Sequence, residues 1–252
     1  MIISRFFKFG YKKAALKGLG VAELPLDVYR GKQPMKSNDF KKFVNEYFFP
    51  AISQLGFKGK DFFFFREKEL YTEIVFFWTY KTGGAIQVDL LVKFNNINYP
   101  DGNVQIKTEK LRPQDCEFQK RLSPYINFSN NAPKTWFWLF HEEPDENKSI
   151  VIDIKRLFLE YGVDYFKKFE NPQNYLNQIN SKNYLRFLDF FINMVAGRGE
   201  SGILFFLFDF WRQNGVKEKA LEFAKIGLKR LKANEHGNYR QIFVQFQDEN
   251  RN

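Results

Sequence analysis

Cysteine is nearly absent from these 252 residues. Cys116 stands alone, so no internal disulfide can form and no thiolate cluster can hold zinc or an iron–sulfur centre. Its acidic flanks in PQDCEFQ raise a thiol's pKa and work against nucleophilic use. Histidine is scarce as well, with His141 and His236 the whole supply. Long apolar runs are missing: Ile203–Phe208 is stopped by Asp209, far short of the roughly 20 residues a membrane span needs. The leading MIISRFFKFGYKKAALKGLG is broken by Lys8, Lys12 and Lys13 and lacks a small-residue cleavage site, which argues against a signal peptide. Neither a phosphate-binding G-x-x-x-x-G-K-[ST] nor a nucleophile-bearing G-x-S-x-G occurs. These absences favour a cytoplasmic chain with no membrane span, no metal and no cofactor.

What is present is core-building material. Hydrophobic residues make up 44% of the chain and include 32 Phe and 12 Tyr, enough to bury a substantial interior. The net charge of +10 suggests nucleic acid until it is mapped. Residues 1–36 carry +6, residues 37–175 are neutral, and residues 176–252 carry +4. A nucleic-acid footprint concentrates on its recognition module, whereas this excess is divided between the two ends.

Hydrophobic periodicity divides the chain into a basic leader (1–36), an α+β domain (37–170) and a C-terminal helical region (171–252). In SNDFKKFVNEYFFPAISQLGF, apolar residues from Phe40 to Leu55 recur at helical spacing. Ser37, Asn38 or Asp39 is placed to cap this helix, Pro50 to kink it and Gly56 to end it. Strands are expected at Asp61–Glu67, Leu70–Tyr80, AIQVDLLVKF, NVQIKTE and KTWFWLF, with KTGG as a hairpin turn and Arg112–Pro133 as loop. Hairpins in succession imply an antiparallel sheet of about five strands, covered by the first helix and a second at Ser149–Phe169. Further helices are expected near 172–180, 182–196, 201–213, 216–233 and 238–247, forming a bundle.

The pattern of the block from Asp39 to about Phe94 resembles the bacterial domain of unknown function 4304 family. The likeness rests on FKKFVNEYFFPAISQLGFK with its Leu55-Gly56-Phe57-Lys58 ending, on the aromatic-Arg strand FFFFRE, and on the hairpin that follows. It extends more loosely over residues 37–170. The resemblance implies an architecture and brings no catalytic residues.

Candidate chemistry is sparse. AGRGESG contains a literal G-x-G-x-x-G at Gly197, Gly199 and Gly202. A dinucleotide loop needs a strand before it and an acidic residue ending a second strand about 20 residues later, and both flanks here read as helix. The glycines are therefore expected to separate two helices, with Ser201 capping the second. FHEEPDEN gathers His141, Glu142, Glu143, Asp145 and Glu146, ligand types for a divalent cation, but a solvated loop before a helix is the better explanation of them. In VKEKALEFAKIGLKRLKAN, Lys225, Lys229 and Lys232 share one face that a partner or a phosphate can meet. Small residues at Ala220, Ala224 and Gly227 suggest close packing on GILFFLFDFW. With no coherent catalytic constellation, the expectation is a non-enzymatic binding protein, of the immunity or antitoxin type, acting on a partner protein. The alternative is a nucleic-acid-associated accessory protein that uses its basic ends.

Overall fold

A computed structural model describes residues 35–79, 84–97, 99–100, 107–124, 137–184, 199–232 and 237–250. The fold is α+β, as the periodicity implies. Strands β1 (Lys58–Lys60), β2 (Phe63–Glu67), β3 (Tyr71–Thr79), β4 (Ala85–Phe94) and β5 (Phe118–Arg121) lie side by side in sequence order, every pair antiparallel. The two-residue β6 (Trp138–Leu139) extends the β5 edge by pairing with β4 at Ala85 and Ile86. Phe118–Arg121 lies within the segment expected to be loop, because Phe118 is its only strongly apolar residue; that residue is part of the core. Of NVQIKTE, the described end, Thr108–Lys110, is a 3₁₀ turn and not a strand. The KTGG turn lies outside the described residues except for Gly84.

The first helix runs as α1 (Ser37–Phe43), a π-helical turn (Val44–Phe48) and α2 (Phe49–Ser53). The kink expected at Pro50 takes the form of that wide turn: proline has no N–H to donate, and Phe49 N–H reaches back five residues to Val44 O. The helix begins at Ser37 with no side-chain cap, so none of the three expected residues serves as one. Gly56 ends the helix at φ +87°, as its position suggests. The second cover begins earlier than expected, as α3 (Pro144–Leu157), a π turn (Phe158–Gly162) and α4 (Val163–Lys167). Proline at its first turn explains the early start. The two π turns face one another, with the Phe48 and Phe158 rings 5.6 Å apart and edge-on.

The C-terminal helices are α5 (Pro172–Asn177), α6 (Gly199–Gln213), α7 (Lys217–Arg230) and α8 (Gly237–Glu249). Residues 201–211 of α6 are buried on every side, which is what an all-round apolar helix requires. Phe206 and Phe210 pack tilted and edge-on against Phe94 of β4, with ring centroids 5.2 and 5.7 Å away, so the last helices and the sheet share one hydrophobic core. The Gly199–Gln213 and Lys217–Arg230 helices pack closely, as their small residues suggest, and Gly227 also lets Phe243 of α8 approach the backbone. Among the described residues no helix is long and apolar enough to cross a membrane.

Candidate functional site

The lysines singled out by the sequence lie on α7 and just beyond it. Ala220, Phe223, Ala224 and Gly227 turn the helix toward the core, which leaves Lys225 and Lys229 exposed on the opposite side. Lys232 is exposed one residue past the C-cap, Leu231. Other charges of the helix fasten the fold: Glu222 accepts from Ser181 N–H at 2.7 Å, and Lys219 donates to the carbonyls of Asn177 and Ile179. Arg230 pairs with Glu200 at 2.9 Å. Lys225 and Lys229 form no ion pair among the described residues.

The glycine motif does not make a phosphate loop. Gly197 lies outside the described residues, Gly199 opens α6, and Gly202 is buried within it. Ser201 is the third residue of the helix and is buried, so it lies past the capping position expected for it. The helix starts two residues earlier than expected, and Glu200 in its first turn accepts from both Tyr184 Oη and Arg230 Nε.

His141 to Glu146 form an exposed turn at the start of α3, where His141 Nδ1 lies 2.9 Å from Glu146. Among the described residues no three such side chains converge as metal ligands. The inward-facing residue there is Asn147, fully buried, which accepts from His141 N–H and donates to the carbonyls of His141 and Glu143. Cys116 is buried, and burial together with neighbouring Glu117 pushes its thiol well above the ordinary range. Both effects work against use of the thiolate as a nucleophile.

Sequence reasoning missed the buried charges. Glu73 has no exposure and sits on the helix-covered face, where burial raises its pKa despite the Arg66 guanidinium 2.5 Å away. Arg66 also donates to Leu55 O at 2.6 Å and lies over the Phe57 ring, clamping the end of the first helix to β2. Glu117, also buried, takes Lys93, Tyr99 and the Phe94 N–H. Asp209 in α6 takes Arg212 and Gln213.

The fourth buried acid, Asp89, belongs to the other face of the sheet. Alternation along AIQVDLLVKF assigns it to solvent, yet it has no exposure. This second face carries an apolar cluster of Phe65, Ile74, Leu91, Leu111 and Cys116. Leu91 among the outward positions of β4, and four consecutive phenylalanines beside β2, were the signal that both faces are covered in part. Asp89 accepts from Arg121 Nε at 3.0 Å and Nη2 at 3.3 Å across the β4–β5 ladder. Burial raises its pKa, while Arg121, Trp78 and Gln119 pull it back. Around it, Gln119 Oε1 is buried without a hydrogen-bond partner, and the buried Trp78 Nε1 lies toward the Asp89 carboxylate.

Searches of protein-family models, curated proteins and solved structures find no match. The arrangement therefore has to speak through its own chemistry: three of the buried acids tie backbone or helix ends together, and the fourth sits beside an unsatisfied amide oxygen on the face away from the long helices.

Proposed function

We propose that the chain is a non-enzymatic cytoplasmic binding protein that neutralises a partner protein by direct contact, as immunity proteins and antitoxins do. The observation that carries this reading is an ordered contact stripe on the outer side of the second covering helix. Ile152 and Leu159 remain 40% and 45% exposed there, large apolar side chains left on a fold that buries most of its others. Between them Arg156 is held by Asp153 at 2.8 Å and Glu160 at 2.9 Å. Spacings of four and three residues keep the stripe together. Apolar anchors beside a pre-ordered arginine, ringed by polar groups, are the composition of an interface centre. The use of Glu73, Glu117 and Asp209 in fastening the scaffold supports a role that depends on shape. The resemblance of residues 37–170 to the domain of unknown function 4304 family belongs to this proposal as its architecture.

The test uses the product of the adjacent reading frame as the partner. Co-expression should relieve the growth arrest that product causes, and the double substitution Ile152→Asp with Leu159→Asp should abolish relief while leaving thermal unfolding unchanged, since both side chains are exposed. Undiminished arrest in the presence of excess wild-type protein refutes the reading.

A second reading has its own observation: Lys225, Lys229 and Lys232 are exposed on one side of the α7 end, which suits nucleic-acid phosphates. Three phosphate contacts give a slope of about −2.7 in log K against log salt on a random duplex. Absence of binding at low salt, or binding unaffected by changing all three lysines to Gln, removes it.

A further inference from the structure

We propose that the stripe on the second covering helix is self-complementary, and that the free protein pairs through it with a second copy of the chain, the two helices lying parallel. The inference rests on the reading of this stripe as a contact surface and adds what occupies it before the target does. Along its outer side the helix repeats every seven residues. Ser149 and Arg156 are seven apart, as are Ile152 and Leu159, and all four are exposed. Their steps of three, four and three residues are those of a coiled-coil seam, with Ser149 and Arg156 at a positions and Ile152 and Leu159 at d positions. Leu159 and Glu160 lie in the π turn and remain exposed, so the pattern continues across it.

The charges beside the seam follow the same repeat. Carboxylates recur at Glu146, Asp153 and Glu160, and lysines at Lys148 and Lys155. These are e and g positions, which flank a seam on its two sides. The structure sets the two rows against different neighbours. Lys148 Nζ lies 4.9 Å over the Tyr47 ring of the first helix, whereas Asp153 accepts from Trp138 Nε1 of β6 at 3.2 Å. Lys155 forms no ion pair among the described residues.

One acidic flank and one basic flank decide both the occupant and its direction. A two-fold axis parallel to the helix brings the basic flank of each copy against the acidic flank of the other. Lys148 of one copy then meets Asp153 of the other, and Lys155 meets Glu160, each contact made twice. Antiparallel helices would set lysine against lysine and carboxylate against carboxylate. Arg156 meets its own counterpart at the axis, but each guanidinium is already held by Asp153 at 2.8 Å and Glu160 at 2.9 Å. A polar residue at one a position fixes the register of such a pair. A target protein that uses Ile152 and Leu159 must displace the second copy, so self-pairing regulates access to the stripe.

Sedimentation equilibrium of the full chain without a target should show a reversible dimer, twice 30.1 kDa. Lys148→Glu with Lys155→Glu should be monomeric, and so should Asp153→Lys with Glu160→Lys. Mixed in equal amounts, the two variants should regain the dimer, because every flank is again opposed by its complement. Direction is read from Ser149→Cys, which should form a disulfide with its own copy under mild oxidation only if the helices are parallel. Wild type, whose single thiol is the buried Cys116, is the control and serves the mass measurement if a charge variant does not fold. A wild-type monomer at concentrations up to about 1 mM overturns the proposal. So does a dimer that survives in both charge variants, a mixture of folded variants that stays monomeric, or a Ser149→Cys protein that does not cross-link. A monomer leaves the neutralising role standing, whereas unrelieved growth arrest beside an intact dimer removes that role and leaves the pairing.

Discussion

Replacing Arg121 with Met removes both hydrogen bonds to a carboxylate that has no exposure of its own. Methionine keeps much of the side-chain length, so the chief loss is electrostatic. Stranding one partner of a buried pair costs about 3–5 kcal/mol, a large share of the roughly 5–15 kcal/mol that holds a domain folded. The cost depends on pH with a definite sign. Burial already raises the Asp89 pKa in the folded protein, and removing the arginine takes away the strongest opposing effect. A carboxyl whose folded pKa lies above its unfolded value, about 3.9, binds more protons folded than unfolded. Its stabilising contribution is complete below the unfolded pKa and is lost as pH rises through the folded one. Arg121→Met should therefore be most destabilised at neutral pH and recover relative to wild type on acidification, because protonated Asp89 needs no counter-charge. Adding Asp89→Leu should return stability to within about 1 kcal/mol of wild type at pH 7, since an apolar pair replaces an ionic one without leaving a charge behind. Urea unfolding at several pH values reads all of this. A loss below about 1 kcal/mol for Arg121→Met at neutral pH, or a loss that grows on acidification, would refute the reasoning.

Two further perturbations probe the core. A methyl group at Gly227 would lie 2.2 Å from a ring carbon of Phe243, a side chain with no exposure. Alanine gains about 1 kcal/mol of helix propensity, but overpacking costs about 1–3 kcal/mol, so Gly227→Ala should destabilise in denaturant melts. Phe243→Leu should cost less in that background than alone, and strict additivity would show that the contact is absent. Cys116, buried and with its thiol pushed upward, should resist an aromatic disulfide reagent in the native protein and react at once in guanidinium chloride. Rapid native labelling would contradict its placement.

The helices were legible wherever a single apolar stripe ran along them. The first helix, the second cover and α7 all lie close to where periodicity places them, because each buries one face and leaves the rest to solvent. The sheet was less legible at its β5 edge. Phe118–Arg121 is only four residues long, and its inward positions are Phe118 and Lys120, so it carries almost no alternation to detect. The candidate site was hidden for a related reason. Asp89, Gln119 and Arg121 look like ordinary solvent-facing residues of strands, and nothing local marks them as buried. The exposed Ile152 and Leu159 were equally obscure, since a surface apolar residue and a core one are the same letter.

By itself the sequence determined the class of fold, the helix-ending Gly56 and the impossibility of an internal disulfide, because each follows from residue type and short-range spacing. It also determined that Lys225 and Lys229 face outward, since α7 has a single buried stripe. Only the tertiary structure decided which charges meet. Arg66 and Glu73 are seven residues apart, and Asp89 and Arg121 are 32 apart, and strand register sets both pairings. It alone decided that Gly227 meets Phe243 and that the second face of the sheet is partly closed. Local sequence encodes the period of a chain, whereas burial and pairing depend on what arrives from elsewhere in it.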